Sequence, residues 1–293
     1  MKMIHMEVPN HPEATLEGYI LDCEITLGLE SERPAIIVCP GGGYIYCSPR
    51  EGEPIALGYA AMGYHAFILR YSTGWNCAGF TPLEEISWAI GYLREHAAEW
   101  HIHPDKILTC GFSAGGHLAL AAGLMAENKP NGMILGYPVA TVMRHPGSDF
   151  MIQLMTGKKD YTDEDAAALD LPSKITKDAP PVFMVATAED LLTTVGALAV
   201  ANKYSALGLP YELHVFQHGP HGLALANEVT ADGSSQVLNS AFAHWQHLSS
   251  EWMKKVFGQP QFENKSTSKI AQHLAELGIS FGTPGDEDKT KFA

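Results

Sequence analysis

The chain has 293 residues, 46% of them apolar, which is enough to bury the core of one large domain. Its formal charge of −14, with no run of Lys or Arg, opposes a phosphate backbone or an anionic bilayer and excludes nucleic acid and membrane as expected partners. Cys23, Cys39, Cys47, Cys77 and Cys110 are odd in number and form no C-x-x-C pair, which argues against a disulfide framework or a zinc knuckle and for reduced thiols in a cytoplasm.

Met1–Pro9 breaks its apolar residues with Lys2, His5 and Glu7, so no signal peptide is expected there. No later stretch approaches the roughly 20 apolar residues of a membrane span. Tyr19–Ile25 alternates apolar and polar residues, as a half-buried antiparallel strand does. From residue 34 onward the β-rich runs Ala35–Cys39, His65–Tyr71, Lys106–Gly111, Gly132–Gly136, Val182–Thr187 and Tyr211–Phe216 alternate with stretches of helical period. That alternation is the pattern of a mostly parallel sheet with helices on both faces, an α/β class.

Over Leu83–Trp100, Ile86, Ala89, Ile90, Leu93, Ala97 and Trp100 fall at spacings of three and four, with Pro82 at the start, where its missing N–H costs nothing. Leu238, Ala241, Trp245, Leu248, Trp252 and Val256 repeat the device in a closing helix. Thr141–Asp178 interrupts the alternation with Pro146, Gly147, Gly157 and Pro172 among clustered acids, and reads as short helices over the sheet's carboxyl edge. One domain is expected over residues 1–260. The extension 261–293 holds one helical stretch, Ser268–Leu277, and a polar, mobile end, Gly282–Ala293.

Gly111-Phe112-Ser113-Ala114-Gly115 matches G-x-S-x-G where an apolar strand gives way to the helical stretch Ala114–Met125. A nucleophilic serine needs a strained turn that lifts its Oγ above the sheet, and the flanking glycines let backbone pass close. The Ala114 amide, at the positive end of the helix, is one donor for an oxyanion at Ser113. Pro40-Gly41-Gly42-Gly43-Tyr44, after the strand Ala35–Cys39, offers others: the amides of Gly42 and Gly43, with Gly41 a further candidate. The loop lacks the G-K-[ST] ending of a phosphate cradle and the G-x-G-x-x-G spacing of a dinucleotide site.

Glu189 and Asp190 follow the strand Val182–Thr187 at the carboxyl edge, and either is a candidate acid. His221, between Pro220 and Gly222 after Tyr211–Phe216, is the candidate base, with His218 a solvated neighbour. Serine, acid and histidine stand in the chain order of α/β-hydrolases. Tyr44, Tyr46, Trp75 and Tyr137 follow strands at that edge and are assigned to the acyl or alcohol pocket, each equally compatible with plain packing. His101 and His103 lack a third ligand at useful spacing and read as surface or capping residues, so no metal is assigned.

From about Pro34 to Trp252 the chain resembles the bacterial acetyl-esterase and acetylxylan-esterase-like group of the α/β-hydrolase superfamily, related to hormone-sensitive-lipase-type esterases. The resemblance is carried by Pro40–Tyr44, Gly111–Ala119 (GFSAGGHLA), Thr187–Asp190 and His218–Leu223. It implies the α/β-hydrolase fold, a serine carboxylesterase with a small-molecule ester substrate and no cofactor, and an acid at the second residue of the acidic pair, Asp190. Two positions depart from the pattern: Pro40 stands where many relatives have His, and Thr193-Thr194 where Val-Pro is common. Acetyl esters of compact alcohols such as sugars are the expected substrates, because 141–178 has no broad apolar lid face and Tyr44 and Tyr46 narrow the acyl pocket. The rival readings are a serine peptidase of prolyl-oligopeptidase type, which usually needs a gating domain, and a hydrolase-fold binding protein, which typically lacks one of the three residues.

Overall fold

Runs such as Ala35–Cys39, apolar on both sides of the pleat, have no face to give to water and become interior strands. The computed structural model describes residues 1–23, 29–30, 32–142, 148–258, 263–264 and 269–279. Pro146, Gly147 and Gly282–Ala293 lie outside these residues, as does Ile25.

In chain order the strands are β1 (Lys2–Val8), β2 (His11–Ile20), β3 (Leu29–Glu30), β4 (Arg33–Cys39), β5 (His65–Arg70), β6 (Ile102–Phe112), β7 (Gly132–Gly136), β8 (Val182–Thr187), β9 (Tyr211–Phe216) and β10 (Glu263–Asn264). The helices are α1 (Glu53–Ala61), α2 (Thr81–Glu95), α3 (Ala97–Trp100), α4 (Ala114–Met125), α5 (Asp149–Thr156), α6 (Asp163–Ala168), α7 (Thr194–Leu207), α8 (Trp245–Phe257) and α9 (Lys269–Glu276). Two compact units divide the chain. Residues 1–22 with 33–259 form one, and 23–32 with 260–293 the other.

In the larger unit eight strands run in the order β1-β2-β5-β4-β6-β7-β8-β9. The pairs β1/β2 and β2/β5 are antiparallel and the rest parallel. Period-two alternation splits the core. Ile37 and Cys39 face one layer with Ile86, Ile90 and Leu118, whereas Ile36 and Val38 face another with Tyr59, Trp245 and Trp252. In the smaller unit β10 pairs antiparallel with β3, and α9 follows.

Several boundaries differ from the sequence reading. The antiparallel strand expected at Tyr19–Ile25 lies earlier, at His11–Ile20, paired to an outer strand β1 that half-exposed polar residues had concealed. The turn between them uses Asn10 at φ 66. The helix over 83–100 breaks at His96, whose ring N–H donates to the Tyr92 carbonyl (2.9 Å). The closing helix begins at Trp245 instead of Leu238, which is exposed. Asn239 accounts for the delay, since its Oδ1 accepts the Phe242 amide (3.0 Å) and its Nδ2 donates to the His218 carbonyl (2.7 Å). Among the described residues no helix is long and apolar enough to cross a membrane.

Candidate active site

The strand-to-helix turn at Ser113 depends on the glycines two positions either side of it. Ser113 adopts φ 53, ψ −117, a conformation that non-glycine residues avoid. A Cβ on Gly115 would stand 2.1 Å from the Cys39 carbonyl oxygen, and one on Gly111 2.1 Å from the Gly115 oxygen. Only glycine lets β6, α4 and the end of β4 approach so closely. Backbone bonds hold the turn: the Ser113 amide donates to Gly136 O (3.1 Å), and its carbonyl accepts from His117 N (3.0 Å) and Val139 N (3.1 Å).

At the ends of β8 and β9 the structure brings together the three residues singled out in the sequence. His221 Nδ1 lies 2.7 Å from Asp190 Oδ2, and its Nε2 lies 2.9 Å from Ser113 Oγ. An ionised carboxylate only accepts, so Nδ1 carries the proton and Nε2 accepts from the serine hydroxyl. Burial opposes the charge on Asp190. Its bond and attraction to His221, with donation from Thr193 Oγ1 (2.5 Å) and the Leu192 amide (3.1 Å), outweigh that and hold its pKa below the ordinary carboxylate value. Thr193, noted above only as a departure from the family pattern, thus supplies a bond to the acid.

Glu189 points elsewhere. It is exposed, accepts the Gly219 amide (2.9 Å) and pairs with His218 Nδ1 (2.8 Å), so it shapes the histidine loop and does not reach His221. That loop is pinned further by Thr187 Oγ1 to Gly219 O (2.6 Å) and by the Arg50 guanidinium to Gly222 O (3.0 Å).

The glycine loop abuts the serine, since a Cβ on Gly41 would come within 3.0 Å of Ser113 Cβ. Gly42 (φ 122) and Gly43 (φ 65) take conformations that side chains resist. Among the described residues no acceptor holds the amides of Gly42, Gly43 or Ala114. Gly41 is corrected: its amide donates to Glu51 Oε2 (2.9 Å) and is not free for an oxyanion.

Two of the four pocket aromatics are also corrected. Tyr44 is wholly buried among Tyr71, Phe80 and His117, with its hydroxyl 2.9 Å from His117 Nδ1. Tyr137 is buried beneath His221, edge-on at 5.2 Å between ring centroids. Its hydroxyl donates to Glu51 Oε1 (2.6 Å) and accepts the Ala224 amide (2.8 Å). Both side chains turned inward because their hydroxyls found buried partners. Tyr46 and Trp75 do remain in the open, 56% and 53% exposed, and the Gly74 amide beside Trp75 donates to Tyr44 O (2.8 Å), which puts that turn against the glycine loop. His101 closes α3 in a left-handed conformation (φ 54), and its carbonyl accepts the Arg33 amide (2.8 Å). Among the described residues no group of three or more His, Cys, Asp and Glu side chains is placed to hold a metal ion.

A serine lifted on such an elbow at the carboxyl edge of a doubly covered sheet defines the class as α/β hydrolase. The chain belongs to the α/β-hydrolase fold family, whose model matches residues 36–225. It is 33% identical over 221 residues to an endo-1,4-β-xylanase B of Butyrivibrio fibrisolvens, covering 70% of this chain and 34% of the relative. It is 27% identical over 196 residues to an acetylxylan esterase of Xylanibacter ruminicola, covering 64% and 40%. The chain therefore matches about a third to two-fifths of the length of these relatives. Among solved structures, a carboxylesterase of Lactobacillus plantarum superposes with a TM-score of 0.77 at 27% identity, over 87% of this chain and 98% of that one.

His117, two residues beyond the G-x-S-x-G motif, was quoted in the resemblance but given no role. Its Nε2–H donates to the Leu169 carbonyl (3.0 Å) and its Nδ1 accepts from Tyr44, so it ties α4 to the glycine loop and to the segment after α6 as a neutral ring. Burial pulls its pKa down to about 4, against the opposing pull of the Leu169 bond. A histidine that protonates near 6.5 when unfolded but only near 4 when folded favours the unfolded chain throughout the interval between. Its contribution should leave stability flat above pH 7, then lower it by roughly 3 kcal/mol as pH falls from about 6.5 to 4, at 1.36 kcal/mol per pH unit. Urea unfolding at pH 7, 5.5 and 4.5 measures this, and His117→Gln should remove most of that part of the slope. An unchanged slope in the variant refutes the assignment.

Proposed function

We propose that the protein is a serine carboxylesterase that removes short acyl groups, acetyl above all, from compact alcohols such as partly acetylated carbohydrates. The observation that carries the reading is the unbroken file from Ser113 Oγ through His221 to Asp190. His221 Nε2 takes the hydroxyl proton as Ser113 attacks the ester carbonyl, and Asp190 holds the tautomer and balances the imidazolium. The amides of Gly42, Gly43 and Ala114 receive the oxyanion. The alcohol leaves with the proton from His221. Water, deprotonated at the same nitrogen, then adds to the acyl carbon, and Ser113 is released with the acid product.

The carboxylesterase and acetylxylan-esterase names of the relatives support ester chemistry, and their xylan connection supports a carbohydrate alcohol. Short acyl groups are favoured because α5 turns Met151, Ile152 and Met155 into the core, while its Phe150 crowds Gly43, where a Cβ would lie 3.1 Å from Phe150 Cζ. Tyr44, wholly buried, does not narrow the acyl pocket. Tyr46 and Trp75 offer flat exposed faces for a sugar ring on the glycine-loop side.

Ser113→Ala should stay folded and retain less than about a hundredth of the wild-type rate on an aryl acetate, and it should resist fluorophosphonate labelling. More activity than that would move the nucleophile elsewhere. Asp190→Asn should lose on the order of 10³-fold in kcat or more, because the imidazole then adopts the wrong tautomer. Glu189→Gln should stay within a few-fold, and reversed severities would reassign the acid. Across a series from acetyl to octanoyl on one leaving group, kcat/KM should fall steeply beyond butyryl. A flat or rising series, in which each added methylene contributed its ~0.8 kcal/mol of burial, would defeat the short-acyl reading.

A further inference from the structure

Glu51 is a carboxylate where the fold can least afford one: it is 4% exposed, at the end of the turn Pro49–Glu51, and it belongs to neither the acid loop nor the histidine loop. Burial raises its pKa above the ordinary value against the opposing influence of Tyr137, Gly41, His221 and Arg50, so the site carries a desolvation cost. The two oxygens have separate tasks. Oε2 accepts the Gly41 amide, which anchors the loop bearing Gly42 and Gly43. Oε1 accepts the Tyr137 hydroxyl, whose oxygen in turn receives the Ala224 amide while the ring stands against His221. Arg50, the preceding residue, donates to Gly222 O (3.0 Å) and Thr230 O (2.5 Å) on the histidine side. One short turn therefore grips both the oxyanion donors and the base.

We propose that Glu51 is a positioning residue of the hydrolysis, holding the glycine loop and the support of His221 at a fixed separation through one bidentate carboxylate. The inference rests on the esterase reading above. A nucleophilic attack needs its base and its oxyanion donors placed together to within about 0.5 Å, and a misplacement of about 1 Å costs on the order of 10²-fold. Both oxygens of Glu51 are buried and engaged by Gly41 and Tyr137, so its removal acts on the transition state through the groups it holds.

The experiment compares Glu51→Ala, Glu51→Gln, Glu51→Asp and Tyr137→Phe in ester turnover, together with affinity for a trifluoromethyl ketone, which adds to the serine as a tetrahedral adduct. Glu51→Ala should lower kcat by about 10²-fold with KM within a few-fold, and weaken the ketone in proportion. Glu51→Gln keeps the length, accepts the Gly41 amide with its oxygen and donates to the Tyr137 oxygen with its NH2, so it should recover at least tenfold. Glu51→Asp, one methylene short, cannot reach both partners and should not. Tyr137→Phe cuts the same bridge, so its loss should not add to that of Glu51→Ala. A folded Glu51→Ala with wild-type kcat, or one impaired in KM alone, overturns the proposal. If Glu51→Ala does not fold, wild-type kcat in both Glu51→Asp and Tyr137→Phe overturns it. A wild type that neither hydrolyses esters nor takes a fluorophosphonate at Ser113 overturns the esterase reading and this assignment with it, whereas an active wild type with an unaffected Glu51→Ala overturns the assignment alone.

Discussion

The site depends on the backbone of Ser113 being held in a conformation that an isolated serine would leave. A left-handed non-glycine residue of this kind costs about 1–3 kcal/mol and persists only when its surroundings over-determine it. Here the surroundings are the Gly136 oxygen on its amide, the His117 and Val139 amides on its carbonyl, and the Gly115 backbone pressed against Cys39 and Pro40. These groups come from β7 and its exit, from α4 itself and from the end of β4. Ser113 is in place because β4, β6 and β7 are parallel neighbours in register, and it would not be in place on any one of them alone.

The carboxylates of the larger unit show how burial decides between chemistry and scaffolding. Asp190 is buried with a histidine and two further donors, which together restore its charge. Glu189, its neighbour in sequence, lies in solvent and holds a loop by its shape. Glu85 is buried and accepts from the amide of Ser72 (2.8 Å) and from its hydroxyl, fixing the exit of β5. Burial raises its pKa, and the Ser72 bonds only soften that. A buried carboxylate bonded to backbone and hydroxyl donors serves as a clamp, and a buried one bonded to an imidazole serves as a counter-charge.

This distinction explains what was legible in the sequence. Ser113 could be read because a strained elbow needs small residues two positions either side, and spacing survives in one dimension. His221 and Asp190 could be placed at the carboxyl edge because strand order fixes where each loop emerges. Tyr44 and Tyr137 could not be told from pocket residues, since the partners that draw them inward, His117 and Glu51, are 73 and 86 positions away. The availability of the Gly41 amide was equally invisible, because its acceptor, although only ten positions on, returns to it through a turn that no local pattern announces. The outer strand β1 was missed for a different reason: an edge strand owes only part of one face to the core, and its Lys, His and Glu residues obscure the alternation.

The rim follows another logic from the floor. Every group in the file from Ser113 to Asp190 is held by backbone or buried bonds, whereas Ile45, Tyr46, Trp75, Leu191 and Leu192 project from loops and turns with much of their surface in water. Such side chains contribute little to folding and can be exchanged without disturbing the elbow. Their positions are not independent of it, however. Tyr46 follows the same glycine loop that abuts the serine, with its own amide bonded to the Gly42 carbonyl (3.4 Å), and Trp75 follows the turn tied to Tyr44. Under the proposed esterase reading, the loop that carries the oxyanion donors would also set where an alcohol rests, so selection for one acyl acceptor over another would act on side chains whose backbone is already fixed by the elbow.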